Sequence, residues 1–169
     1  MTKINSLGFL ALLLAALVLP PAALSQNHGP ELERPTGVAT WPTVGVTMRL
    51  DREHGQTPTQ MRQVLMAPED YAHFQRTGAF ADGAAFAVVF YPVALDASHQ
   101  PPLYFAQAEQ AFVMEVIDRT HPDGRRFYTF APGATHARPL PAGNECAVCH
   151  AAQGSADGTF AHLYPALRR

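Results

Sequence analysis

Near the end of the chain, the run NECAVCHAAQG from Asn144 to Gly154 holds both cysteines of the protein and a histidine directly after the second. Cys-x-x-Cys-His is the pattern by which a c-type haem is attached covalently. Its spacing has a geometric reason. Residues three apart share one helical face, so the thiols of Cys146 and Cys149 can reach the two vinyl groups on one porphyrin edge. The next residue, His150, then offers an imidazole to the iron as the proximal axial ligand. Asn144 is a good N-cap, Glu145 suits the positive end of a helix, and Gly154 is a natural stop. The spacing therefore predicts a short helix over 146–153 carrying one haem c.

Three other uses of the pair compete with this one. A structural zinc site wants four ligands, commonly from two paired clusters, and the chain has no second Cys-x-x-Cys. A thioredoxin-like redox pair belongs beside a βαβ unit, whereas this pair follows strand-like sequence near the C-terminus. A plain disulfide across two intervening residues closes a very small loop and constrains the unfolded chain little. Haem attachment accounts best for the adjacent His150. For the sixth iron position, the 19 residues after His150 contain no methionine. A Met ligand would have to be Met48, Met61, Met66 or Met114, each better read as core filler. An open distal side is the expectation, which favours ligand binding or chemistry over simple electron transport.

The compartment suits such a group. Residues 1–25 read as a secretory signal peptide: Lys3 supplies the positive start, Leu7 to Leu19 is nearly all apolar, and small residues precede a cleavage point before Gln26. The apolar run falls short of the roughly 20 residues that span a bilayer, so the mature protein is expected to be soluble and periplasmic. It carries eleven arginines, fourteen acidic residues and no lysine, because Lys3 is the only one in the chain. That balance offers no basic patch for nucleic acid or for an anionic membrane surface.

The elements that must position the haem helix read as strands. Residues 26–40, polar and rich in Pro and Gly, form a flexible lead-in, and 41–169 a single haem c domain. WPTVGVTMRLD (41–51) reads as a strand with Val44, Val46, Met48 and Leu50 on one face, and MRQVLMA as a second. PEDYAHFQRTG has Pro68 at its start, acids in its first turn and Gly78 at its end, the punctuation of a short helix. A turn at Asp82-Gly83 leads to an apolar run from Ala84 to Tyr91, as in a buried strand. AFVMEVIDRTHPDGRRFYTFAP makes a hairpin around Pro122-Asp123-Gly124. The sum is an α+β domain: an antiparallel sheet, short helices and the C-terminal haem helix. A four-helix cytochrome c′ bundle is excluded, since fourteen of the fifteen prolines follow Pro20 and long helices cannot absorb so many breaks.

WPTVG, MRQVLMAPEDYAHFQRTGAFADGAAFAVVFY, EVIDRTHPDGRRFYTFAPG and CAVCHAAQGSADGTFAHLYPAL together resemble the cytochrome P-460 family, which includes the cytochromes c′-beta. The resemblance runs from about residue 41 to 168. It implies a β-rich, homodimer-forming fold with a five-coordinate haem c on Cys146, Cys149 and His150. P-460 members oxidise hydroxylamine with a haem cross-linked to a lysine; c′-beta members lack the link, have an apolar distal pocket and bind small gases, nitric oxide above all. With no lysine after Lys3, no lysine–porphyrin bond can form here. Arg76 is no substitute, because its guanidinium stays protonated and is a poor nucleophile.

Phe74, Phe80, Phe86 and Phe90 cluster around the helix–turn–strand that the family places near the haem, and Phe80 or Phe86 is a candidate distal cap, with ordinary core packing the competing role. Arg76 is a candidate hydrogen-bond donor to a bound ligand and Glu115 a candidate proton-transfer carboxylate; each is also at home on a solvated face. His73 and His162 are further possible ligands, and His28 lies in the lead-in. The expected function is binding of nitric oxide or carbon monoxide by an exported mono-haem cytochrome. The alternatives are an oxidoreductase acting on hydroxylamine or a similar small nitrogen compound, and a periplasmic electron carrier with a distal Met and a redox partner protein.

Overall fold

The computed structural model describes residues 29–168 apart from positions 52 and 156, so the leader at 1–25 and His28 lie outside the described residues. Eight strands and two helices follow in chain order: β1 (Leu32–Glu33), β2 (Thr43–Asp51), β3 (Thr57–Met66), α1 (Pro68–Thr77), β4 (Ala85–Asp96), β5 (Leu103–Ala106), β6 (Ala111–Ile117), β7 (Arg125–Phe130), β8 (His136–Ala137) and α2 (Glu145–Gln153). Antiparallel pairing gives a main sheet in the order β2-β3-β4-β6-β7, with β5 added to β4. The protein is a sheet-rich α+β domain whose second helix lies near the C-terminus, as the pattern of turns and apolar runs predicts.

Strand β4 runs apolar because both of its faces are covered. Phe86 belongs to one core with Val44, Val64, Met66, Phe74, Phe80 and Ile117. Ala87 and Val89 belong to the opposite core with Leu65, Phe112, Met114, Tyr128 and Phe130. The strand continues past Tyr91, beyond the expected run, because Val93–Asp96 pair with β5. Exposed side chains throughout β5 gave that strand no alternating signal.

Helix α1 carries Pro68 in its first turn and ends at Gly78 in a left-handed conformation. Asp70 Oδ2 accepts a hydrogen bond from the Ala85 amide at 2.9 Å, tying the helix start to the start of β4. The hairpin of β6 and β7 pairs Glu115 with Phe127 and Ile117 with Arg125.

Two local readings need correction. Val44 is buried, but Val46, Met48 and Leu50 are 54%, 45% and 42% exposed and do not share its surroundings. A register shift between Thr43 and Gly45 places Val44 and Gly45 both inward, and the alternation resumes with opposite parity, as a bulge requires. The described part of the 26–40 lead-in contains β1, which pairs with β8, and a 3-10 turn over Val38–Thr40. Arg34 also ties the lead-in to β6, with an ion pair to Glu109 at 2.9 Å and a position 4.0 Å over the Phe112 ring.

The C-terminal tail closes the first core. Leu167 is buried there, with Tyr164 and Ala166 against it. A Cβ at position 45 would overlap the Tyr164 ring, so only glycine lets the tail lie on β2. The WPTVG and LYP segments, distant in sequence, meet at that point.

Candidate haem site

Helix α2 is built by local chemistry. The Asn144 side chain accepts hydrogen bonds from the amides of Cys146 and Ala147 at 3.0 and 3.2 Å, satisfying two of the free donors at the helix start. The helix stops at Gly154, whose amide donates to the His150 carbonyl. Ala147 is the residue buried against the body, while Cys149 is exposed and Cys146 half-buried. Neither thiol is bridged. Burial, reinforced by Glu145 and Cys149, pushes the Cys146 thiol above its ordinary range.

His150 is fixed on three sides. Its ring meets Phe127 of β7 edge-on at 5.0 Å and Phe160 at 4.7 Å. Its Nδ1 lies 2.9 Å from the Gly158 carbonyl oxygen. A carbonyl can only accept, so Nδ1 carries the proton, and Nε2 is the nitrogen left to meet a metal. The loop that presents this carbonyl is tightly knit. Asp157 accepts from the Ser155 hydroxyl at 2.6 Å and from the Thr159 amide and hydroxyl at 2.9 and 2.8 Å. Burial raises the Asp157 carboxyl, but these hydrogen bonds and the charge of Arg125 outweigh it, and the net shift is downward. Gly158 has φ 72°, and a Cβ there would overlap Arg125 Nη2. Glycine is required on both counts.

Glu115 and Arg125 stand beside the imidazole. Arg125 Nη1 donates to Glu115 Oε1, and Nη2 donates to the Asp157 carbonyl at 2.5 Å. Burial pushes the Glu115 carboxyl up, opposed by the adjacent His150 and by the Arg125 guanidinium. A small cavity of about 30 Å³ adjoins His150, walled by Val64, Phe86, Val88, Phe160, Tyr164 and Glu115 among others. Burial and the Glu115 charge push the Tyr164 hydroxyl up to about 12. A wider cleft of about 530 Å³, lined by Phe80, Ile117, Arg119, Arg125 and Gly158 among others, shares Thr159 with the cavity. Its volume falls within the range of about 300–1,000 Å³ typical of cofactor pockets.

The sequence candidates divide accordingly. Cys146, Cys149 and His150 share α2, and Glu115 reaches His150 from β6. Phe86 lines the small cavity, Phe80 the wider cleft, and Phe74 packs behind them, its ring 4.6 Å from that of Phe80, which is 5.2 Å from Phe86. Phe90 lies farther along β4, under the Arg62 guanidinium at 5.4 Å. Arg76 is exposed on α1 and donates to its own helix at Ala72. His73 is half-buried on the same helix, and His162 is exposed, its ring 6.3 Å from Phe160. Met66 and Met114 are fully buried in opposite cores, and Met48 is exposed. Sequence reasoning missed Arg125, Phe127, Phe160 and the Gly158 carbonyl. Only the alternation of β7, which buries Arg125 in step with Phe127, hinted at the first.

This donor set fits a c-type haem: two unbridged thiols three residues apart on one helix, followed by an imidazole held by Nδ1. Compared with known families, residues 35–161 match Cytochrome P460. The chain belongs to the cytochrome P460 family. That membership makes it a haem-binding cytochrome. No curated protein matches the chain. Within the cytochrome P460 domain, the motif helix, the 154–159 loop and the β6–β7 hairpin are the parts that converge on His150.

Proposed function

We propose that this is an exported cytochrome carrying a single covalently bound haem c, with His150 as its axial ligand, and that it binds a small neutral gas such as nitric oxide or carbon monoxide. The observation that carries the reading is the mode of holding His150. Its proton is committed to a backbone carbonyl and its ring is wedged between Phe127 and Phe160, which leaves one nitrogen for iron. Cys146 and Cys149 would hold the porphyrin by thioether links, and the haem would supply the iron that binds the gas. The adjoining cavity has room for little more than one water-sized group, and its walls are largely apolar. An apolar distal side, as the cytochromes c′-beta have, would select neutral diatomic ligands by size and by the scarcity of polar partners. The want of any lysine after Lys3 removes the residue that the hydroxylamine-oxidising members link to their haem.

A second reading is oxidation of hydroxylamine or a related small nitrogen compound with an unlinked haem, the activity of the family's P-460 members, but Glu115 stands behind His150 Nδ1 and would not reach a ligand on the iron's other face. The exposed apolar residues Val46, Met48 and Leu50 on edge strand β2, with Leu103, Tyr104 and Phe105 on β5, favour a second copy of the chain as partner. Export rests on the leader at residues 1–25.

The test is the spectrum of the ferrous protein matured with haem-attachment machinery, with and without nitric oxide. A five-coordinate high-spin haem with ordinary c-type maxima that shift on adding nitric oxide is the expected result. A strongly red-shifted Soret band would favour the enzyme, and a low-spin methionine-ligated spectrum the electron carrier. Colourless protein with Cys146 joined to Cys149 would end the proposal.

A further inference from the structure

Among the described residues, the buried polar or charged side chains are Glu115, Arg125 and Thr159, and all three border the His150 site. Two acceptors compete there for the proton on His150 Nδ1. The Gly158 carbonyl oxygen lies at 2.9 Å and Glu115 Oε1 at 3.5 Å. The choice has chemical weight. A carboxylate acceptor draws the proton harder than a neutral carbonyl and makes the imidazole a stronger electron donor to a metal.

Arg125 stands where that choice is made. One of its nitrogens donates to Glu115 Oε1, the same oxygen that faces His150, and lies 3.4 Å from Nδ1. The other donates to the Asp157 carbonyl, one residue before Gly158, so a single guanidinium joins one acceptor to the loop that presents the other. Donor cannot bond to donor. The Arg125 N–H beside Nδ1–H therefore leaves the carbonyl as the only well-placed acceptor.

We propose that Arg125 is a positioning residue which, by occupying Glu115 and bracing the Gly158 loop, assigns the axial histidine's proton to the Gly158 carbonyl. The imidazole is thereby kept a neutral, moderate donor, suited to reversible ligand binding more than to oxidation chemistry. The assignment rests on the functional reading above and names the residue that sets its axial ligand.

The experiment uses the haem-loaded protein and reads the iron–histidine stretching frequency of the ferrous form together with the reduction potential. In Arg125→Met, Glu115 is released to take the Nδ1 proton, so the frequency should rise and the potential fall. Glu115→Gln should leave the frequency close to wild type, because wild-type His150 does not use Glu115, while the loss of a buried negative charge raises the potential. The double variant, with no carboxylate to compete, should return to the wild-type values. An unmoved frequency in a folded, His-ligated Arg125→Met protein would overturn the assignment, as would a double variant that keeps the single variant's shift. Should Arg125→Met fail to fold, Glu115→Gln still decides: a large fall in frequency means that Glu115 was the acceptor all along. A wild-type protein without any haem spectrum defeats the functional reading itself. A His-ligated haem indifferent to these variants defeats only the role of Arg125.

Discussion

Replacing Gly158 by alanine is a sharp test of how the His150 loop is built. Two costs should add. The backbone at φ 72° is disfavoured for a residue with a Cβ by about 1–2 kcal/mol. The new methyl would also overlap Arg125 Nη2 and stand 3.1 Å from its Cζ, so the guanidinium must move. Moving it breaks the hydrogen bond to the Asp157 carbonyl and loosens the pair with Glu115; a hydrogen bond from a charged group is worth about 1.5–3 kcal/mol. The sum is roughly 2.5–5 kcal/mol. Gly83→Ala is the control, because its φ of 86° carries the same backbone strain while nothing lies within 4 Å of the added Cβ. It should cost only about 1–2 kcal/mol. Urea unfolding of both variants, with unchanged slope and a shifted midpoint, measures the difference. Equal losses for the two would refute the close approach of Arg125 to Gly158.

Other outcomes follow from the same contacts. Asn144→Ala removes the acceptor for two amides at the start of α2 and should cost about 0.5–2 kcal/mol, read as a lowered unfolding midpoint. Phe86→Ala should cost about 3–5 kcal/mol by leaving a void in the first core, and it should change gas-association rates by enlarging the cavity beside His150; unaltered rates would remove Phe86 from the ligand's path. Asp118 is held at about 2 by hydrogen bonds from Thr120 and Arg126, below its ordinary value of 3.8. A lowered acid favours the folded state once ionised, so its contribution is present above pH ~4 and lost as pH falls through about 2. Asp118→Asn should flatten that part of the acid-unfolding profile.

How far the site could be read in advance depended on the range of the interactions involved. The haem motif was legible because its chemistry needs only i, i+3 geometry and a capped helix, both of which are local. Phe74, Phe80 and Phe86 were legible as a group because a helix, a tight turn and a strand follow each other closely. Arg125 was not. Its role comes from contacts with Glu115 across a hairpin and with Asp157, 32 residues away, and in an Arg-Arg pair only the alternation with Phe127 hints at which side chain turns inward. The stripe on β2 was misread for a related reason: a bulge is a property of two strands in register, and it inverts every later side chain.

The sequence alone determined the donors, two thiols and an imidazole at fixed spacing, the lack of a lysine after Lys3, and the turns and apolar runs that mark out a sheet-rich domain. These are matters of residue identity and short-range period, which survive without knowledge of the fold. Only the tertiary structure decided which nitrogen of His150 is left for a metal, which acceptor takes its other proton, and how little room lies beside it. Those depend on distances of about 3 Å between segments far apart in the chain, and such distances exist only once both faces of the sheet are packed.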